Sequence, residues 1–212
     1  MAATKQSTRY DRVSQLLHWE VALLVLVLLV MGKTGLVEAD HPGSAAFMWH
    51  GSLGVLVLVS VAARALWRLR HPPPEFPATM TRLGRIAART MHASLYVLLI
   101  ALPLSGWLAA SSEGSNVNLF NVATLPRWGA SMPSDTRPTA VPGMRAAPES
   151  EEGGSEDLAE EVHEFLGDAL ILLASLHVLA ALKHQYIDRD ELIRRMLPAA
   201  WAKASGTRPR GG

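Results

Sequence analysis

The sequence predicts an all-α fold: an integral membrane four-helix bundle that forms a single domain over residues 1–212. Three observations support this prediction. The apolar residues concentrate in four blocks, each of about the 20 residues that a helix needs to cross a bilayer. These blocks lack the continuous polar face of helices in soluble proteins, so four buried helices of a globular protein are the weaker alternative. Basic residues also fall mostly on one side of the four blocks.

The four predicted helices span about residues 15–36, 46–69, 88–110 and 161–185. Ser14 is the candidate N-cap of the first helix. Three prolines from Pro72 onward end the second helix, and Pro103 should bend the third. The third and fourth helices are separated by a long external loop, 111–160, whose first half is apolar enough to lie on the bundle or at the membrane interface.

The distribution of charge predicts the orientation of the chain in the membrane. Of the 20 Lys and Arg residues, all but four lie on the side that holds both chain ends and the loop after the second helix. The four exceptions are Lys33, Arg127, Arg137 and Arg145. The positive-inside rule therefore places both termini in the cytoplasm. The opposite side is acidic, with Glu149, Glu151, Glu152, Glu156, Asp157, Glu160, Glu161 and Glu164 close together.

The fourth predicted helix carries a histidine near each end, His163 and His177, fourteen residues apart. This spacing returns to within about 40° of the same helix face and spans roughly 21 Å of helix axis. Histidine is costly inside a membrane, so such residues are functional candidates by default. Each of the two histidines could therefore bind one face of a metal centre.

The alternating helix directions sort the other histidines by depth. His50 begins an inward helix, as His163 does, so these two form an outer layer. His18 and His92 begin outward helices, and either of them could pair with His177 in an inner layer. His92 could instead contact a propionate or a quinone, or be a packed polar residue.

Two opposed imidazoles in a dry apolar bundle suit haem b. Zinc or copper would call for a carboxylate, a thiolate or a third imidazole, and the chain has no cysteine. Gly54 and Gly167 each follow an outer histidine by four residues, which leaves room for a porphyrin beside the helix. Arg64 and Arg85 are candidates for the inner propionates or a quinone pocket, although positive-inside topology explains them equally well.

With these residues in place, the chain resembles the bacterial cytochrome b561 family of di-haem, quinone-linked membrane cytochromes. The matching stretches are YDRVSQLLHW, WHGSLGVLVLVSVAARALWRLRHPPP, MHASLYVLLIALPLSGW and VHEFLGDALILLASLHVLAALKHQY. They cover nearly the whole chain except about 127–158. Di-haem anchor subunits of formate dehydrogenase and nickel–iron hydrogenase share the histidines of the first, second and fourth helices.

The resemblance implies two haem b groups, one on His18 and His177 and the other on His50 and His163. It implies a multi-pass oxidoreductase of the bacterial inner (plasma) membrane that oxidises superoxide at the periplasmic face and reduces ubiquinone. The expected partners are membrane lipid, quinone, and superoxide or a periplasmic electron donor, with no nucleic acid.

The acidic external loop departs from this expectation, because a surface that attracts superoxide should be cationic. The acidic run could instead dock a basic donor protein such as a soluble cytochrome. A haem b anchor subunit of a larger dehydrogenase or hydrogenase is one alternative function. A haem-free membrane transporter that uses the same histidines is a second.

Overall fold

The computed structural model describes residues 9–37, 44–77, 79–128, 152–190 and 192–197, with only the helical backbone described over 152–157. The order of elements is α1 (Arg12–Lys33), α2 (Ala45–Arg70), α3 (Arg82–Ser112), β1 (Asn118–Leu119), β2 (Ala123–Thr124), α4 (Glu152–Lys183), a π-helical turn (His184–Asp188) and α5 (Leu192–Met196). The predicted external loop 111–160 therefore contains a short hairpin and the start of α4, while its middle part, 129–151, lies outside the described residues.

Four of the helices are long and apolar enough to cross a membrane. Their outward-facing side chains are large and hydrophobic: Leu23 and Leu26 on α1 are 63% and 60% exposed, and Val97 on α3 is 65% exposed. A soluble protein rarely exposes so much contiguous apolar surface. These faces are suited to contact with lipid, which confirms the predicted fold class.

The helix boundaries differ from the prediction at three places. α1 begins earlier because Asp11, not Ser14, is its N-cap; the Asp11 carboxylate accepts hydrogen bonds from the backbone and the hydroxyl of Ser14. α3 begins at Arg82, since Thr81 caps it through the Gly84 amide, and it runs without interruption through Pro103. α4 begins at Glu152, so much of the acidic run belongs to this helix.

The bundle packs in sequence order, with α1 against α2, α2 against α3 and α3 against α4. Its small core is formed by Val21, Val57 and Val61, with Tyr96 and Leu99 packed against them. We call the end that holds the start of α1 and the end of α4 the termini end, and the opposite end the loop end.

Polar contacts tie the helices together at different depths. At the loop end, Lys33 on α1 forms an ion pair of 2.7 Å with Asp168 on α4. Closer to the termini end, the buried Ser60 hydroxyl donates to the Glu20 carboxylate across the α1–α2 seam, at 2.8 Å. The Glu20 carboxylate thereby has a partner within the membrane-spanning part of α1, where an unpaired charge would be costly.

The orientation prediction can be tested directly, because the chain contains no cysteine. Asn116→Cys introduces a thiol in an exposed position at the loop end, and Glu75→Cys introduces one near the termini end. If both termini are cytoplasmic, a membrane-impermeant maleimide will label Asn116→Cys in intact spheroplasts. It will label Glu75→Cys only after permeabilisation, and the reverse pattern would contradict the positive-inside assignment.

Candidate cofactor sites

A pair of histidines lies at the loop end, one on α2 and one on α4. The ring centroids of His50 and His163 are 6.3 Å apart, with an interplanar angle of 79°. His50 is in the second turn of α2, and Ser44 caps that helix through the Phe47 amide. The structure thus brings together the two residues that the depth argument assigned to the outer layer.

A serine on α3 fixes the orientation of the His163 ring. The Ser105 hydroxyl donates its only hydrogen to the Leu102 carbonyl at 2.9 Å, and it lies 3.0 Å from His163 Nδ1. The hydroxyl must therefore accept a hydrogen bond from a protonated Nδ1. Nε2 keeps its lone pair, as in histidines that bind a metal through one nitrogen and donate from the other.

Gly106 allows the His163 ring to approach α3 closely. A Cβ atom at position 106 would lie 2.9 Å from His163 Cε1 and 3.2 Å from Nδ1, which is too close for either atom. Neither Ser105 nor Gly106 was identified from the sequence. Small residues on a membrane helix are a weak signal, because they are equally common in plain helix packing.

A cavity of about 240 Å³ opens between the four helices at this end. His50, His163, Gly54 and Gly167 all line it. A Cβ atom at Gly54 or Gly167 would meet nothing within 4 Å, so the two glycines border open space. The Nδ1 atom of His50 is buried and has no hydrogen-bond partner among the described residues. Buried polar atoms are usually paired, so this atom fits a cavity that receives a bound group.

Three histidines meet nearer the termini end. The centroid of His177 on α4 lies 6.4 Å from that of His18 on α1 and 5.3 Å from that of His92 on α3. His92 Nδ1 lies 2.6 Å from the Ala88 carbonyl one turn earlier, to which it donates. Both residues that the spacing argument left open as partners of His177 are therefore close to it.

The separations of the rings distinguish the pairs. A metal–imidazole bond measures about 2.0–2.1 Å for zinc and nearly the same for iron. The ligating nitrogen lies about 1.1 Å from the centroid of the imidazole ring. Two imidazoles on opposite sides of one ion therefore have centroids about 6–6.5 Å apart. The His50–His163 distance of 6.3 Å and the His18–His177 distance of 6.4 Å fit this value, whereas 5.3 Å for His92–His177 is too short.

Arg64 lies at the termini end and links three helices. Its Nε donates to the Tyr96 hydroxyl on α3 at 3.1 Å, and one of its terminal nitrogens donates to the Ser14 carbonyl on α1 at 3.4 Å. The adjoining cavity measures about 20 Å³, which is room for roughly one water molecule. Arg85 is exposed on α3.

Another group of polar side chains follows α4. His184 Nδ1 lies 3.1 Å from an Asp188 oxygen and 3.0 Å from an Asp190 oxygen, and Lys183 forms an ion pair with Asp188. The Thr79 hydroxyl donates to the other Asp190 oxygen. These groups hydrogen-bond to one another where the chain leaves the bundle, a local arrangement that the sequence did not predict.

Paired imidazoles inside four membrane-length helices are the arrangement of a membrane haem protein. The chain belongs to the prokaryotic cytochrome b561 family, which it matches over residues 9–199. Members of this family are multi-pass membrane proteins that bind haem b and carry electrons, and this assignment confirms the resemblance noted in the sequence.

Curated relatives align over almost their whole lengths. Cytochrome b561 homolog 2 of Escherichia coli (strain K12) is 29% identical over 199 residues, which is 93% of this chain and 95% of the relative. The probable superoxide oxidase CybB of Yersinia pestis is 27% identical over 189 residues, 86% of this chain and 92% of the relative. Cytochrome b562 of Cereibacter sphaeroides is 25% identical over 198 residues, 91% and 97% respectively.

Substitution of Gly106 tests the geometry around His163. Gly106→Ala would place a methyl group 2.9 Å from the His163 ring and force the imidazole out of position. We expect the purified variant to keep its fold but to bind less haem than the wild type, because the displaced imidazole changes the shape of the cavity that it lines. Gly32→Ala is the matched control, since its Cβ would meet the His50 ring at an ordinary 3.8 Å. A full haem content in Gly106→Ala would show that the His163 ring position is unimportant.

Proposed function

We propose that this chain binds two haem b groups and moves electrons across the membrane between a donor at the loop end and ubiquinone at the termini end. The observation that carries the proposal is the presence of two histidine pairs, at different depths, with the ring separations of two ligands on one metal ion. α4 supplies one member of each pair, so a single helix would connect the two sites.

In this proposal His50 and His163 hold one haem, and His18 and His177 hold the other. When bound, the haems supply one-electron redox chemistry. The chain contributes oriented imidazoles, with Ser105 keeping the Nε2 lone pair of His163 available, and an apolar surrounding that excludes water. Both termini are cytoplasmic in this proposal, so the loop end faces the periplasm.

We place the quinone near Arg64 and His92. Arg64 uses two of its five N–H donors in described contacts, so others are available for a propionate or a quinone carbonyl. His92 is too close to His177 for the two rings to share an iron, and its Nε2 is a free acceptor when Nδ1 donates to Ala88. The adjoining cavity of about 20 Å³ would have to widen to admit a quinone ring.

Superoxide is the first candidate donor, because the Yersinia pestis relative is named as a probable superoxide oxidase. In that reaction two superoxide ions are oxidised to two molecules of dioxygen. Their two electrons pass to one quinone, which takes up two protons from water to form the quinol. This candidate is consistent with an oxidoreductase that needs no partner protein. It requires an anion to reach the loop end.

The charge at the loop end favours a second candidate, a cationic donor such as a basic soluble cytochrome. Glu113, Glu160 and Glu164 line the cavity that holds His50 and His163. Among the described residues, the basic side chains at this end are Lys33, paired with Asp168, and Arg127, which donates to the Gly114 carbonyl. An anionic rim within a Debye length of about 10 Å repels superoxide and attracts a cation.

Haem content in four variants tests the ligand assignment. We expect His50→Ala and His163→Ala to lose one haem, and His18→Ala and His177→Ala to lose the other, so the two groups of variants will keep different α-bands. His92→Ala is the control and should keep both haems, because its ring is too near His177 for shared ligation. Loss of a haem in His92→Ala with full loading of His18→Ala would reverse the assignment at the termini end.

The same preparations also test the alternatives. Purified wild-type protein without a reduced haem α-band would favour a haem-free membrane transporter. Stable co-purification of a peripheral redox subunit, together with no superoxide-dependent quinone reduction by the isolated chain, would favour an anchor subunit of a dehydrogenase or hydrogenase.

Ionic strength distinguishes the two donors. Reduced protein in proteoliposomes of known orientation is oxidised from the loop-end side by tris(phenanthroline)cobalt(III), a cation, or by ferricyanide, an anion. If the rim selects cations, rising salt will slow the first reaction several-fold and accelerate the second, because screening weakens attraction and repulsion alike.

Neutral variants locate the source of the salt effect. The double variant Glu160→Gln with Glu164→Gln should flatten both salt dependences, whereas Glu75→Gln near the termini end should leave them unchanged. Faster reaction with ferricyanide at low salt, together with superoxide-dependent quinone reduction, would establish superoxide as the donor.

A further inference from the structure

The first turns of α2 are held by the segment that follows α3. Ser52 is completely buried, and its hydroxyl makes two hydrogen bonds to this segment. It donates to the Asn118 carbonyl at 2.9 Å and accepts from the Phe120 amide at 2.9 Å. The Ser52 hydroxyl thereby provides the two hydrogen bonds that a neighbouring strand would otherwise make to β1 and the hairpin tip.

Two neighbours of Ser52 extend the contact. Gly51 packs against Val117 so closely that a Cβ atom at position 51 would lie 3.0 Å from Val117 Cγ1. The Trp49 ring meets the Phe120 ring edge to face, with centroids 5.6 Å apart. Of four consecutive residues on α2, three therefore hold the hairpin, and the remaining one is His50.

The hairpin depends on this support. Its ladder consists of only two residue pairs, and so short a hairpin is marginal on its own in water. Phe120 and Asn121 form its tip with φ angles of 48° and 61°, a region that bulky residues such as phenylalanine rarely adopt. The Ser52 hydroxyl on the Phe120 amide and the Trp49 ring on the Phe120 side chain offset that strain.

The same segment forms part of the cavity wall. Val117 is 7% exposed and lines the cavity together with His50 and Gly51. Leu125 donates its amide to the Val117 carbonyl at 2.9 Å, which closes the base of the hairpin. If the hairpin moved away from α2, water would reach the cavity beside His50, and the turn of α2 that carries this histidine would lose its external support.

We propose that Ser52 is a positioning residue for the loop-end cofactor site: its hydroxyl clamps the 117–125 hairpin onto α2, which fixes His50 and keeps water out of the cavity. The effect on a haem rests on the function proposed above. The clamp itself does not, because all of its contacts lie within the protein.

Ser52→Ala removes both hydrogen bonds, so the Phe120 amide and the Asn118 carbonyl lose the partner that holds them to α2. We expect faster hydrogen exchange at the Phe120 amide, with or without haem. We also expect a lower midpoint potential for the loop-end haem alone, because added water favours the more highly charged oxidised state. The reduced-to-oxidised ratio at a given potential should fall several-fold, up to about tenfold.

Two further variants separate this role from a general loss of stability. Ser112→Ala is the matched control, because the Ser112 hydroxyl donates to Ala109 within α3. Gly51→Ala keeps the Ser52 hydroxyl but pushes Val117 away, and should shift exchange and potential in the same direction as Ser52→Ala. If Ser52→Ala fails to fold, Gly51→Ala decides the question.

Unchanged exchange at Phe120 would overturn the clamp. Faster exchange at Phe120 without a change in midpoint potential would show that the clamp does not position His50. An equal change in the midpoint potentials of both haems would show the same. A wild-type protein without a loop-end haem would contradict the proposed function, while the exchange measurement in that same protein would still decide whether the clamp exists.

Discussion

The structure depends on holding imidazole rings inside an apolar bundle at separations that leave space between them. Two histidines that face each other across an apolar cavity are energetically costly, because their polar ring nitrogens are buried without hydrogen bonds to water. The protein meets this cost with local contacts: Ser105 bonds one nitrogen of His163, and Ala88 bonds one of His92. Gly106, Gly54 and Gly167 then remove the side chains that would fill the space.

α4 is common to both histidine pairs: it carries His163, which faces His50, and His177, which faces His18. His163 and His177 lie on one helix, so the difference in depth between the two histidines is set by helical rise and not by a loop. The partners come from α2 at one level and α1 at the other. α3 contributes no member of the two pairs with the wider separation, but its Ser105, Gly106 and His92 contact the histidines of α4 at both levels.

The sequence predicted those features that depend only on position along the chain. Hydrophobic length predicted the four helices, and the spacing of His163 and His177 together with alternating direction predicted two layers. Spacing left both His18 and His92 open as partners of His177, and only the family resemblance favoured His18. The ring separations of the two candidates depend on how each helix is rotated about its axis. Hydrophobic periodicity alone does not determine this rotation well enough to place the imidazole rings to within an ångström.

The contacts that the sequence missed share a physical reason. Ser52 and Ser105 look like ordinary small residues of membrane helices, and their roles arise only from backbone atoms brought near by tertiary packing. The hairpin was hidden because its tip uses Phe120 and Asn121 at positive φ, without the glycine that usually signals such a turn. The early start of α3 was missed because its first turn, which carries Arg82 and Arg85, is too polar to belong to an apolar block.

The chain segment after α4 returns to the start of α1. The Tyr10 amide and the Gln15 side chain both donate to the Arg195 carbonyl, and the Trp19 indole donates to the Met196 carbonyl.

α4, which provides one histidine to each pair, follows the other three membrane helices in the chain. At 5–20 residues per second, α1 is made roughly 8–30 s before α4 is complete. During biogenesis His18, His50 and His92 are therefore made before His163 and His177, so neither histidine pair can form until α4 has been synthesised.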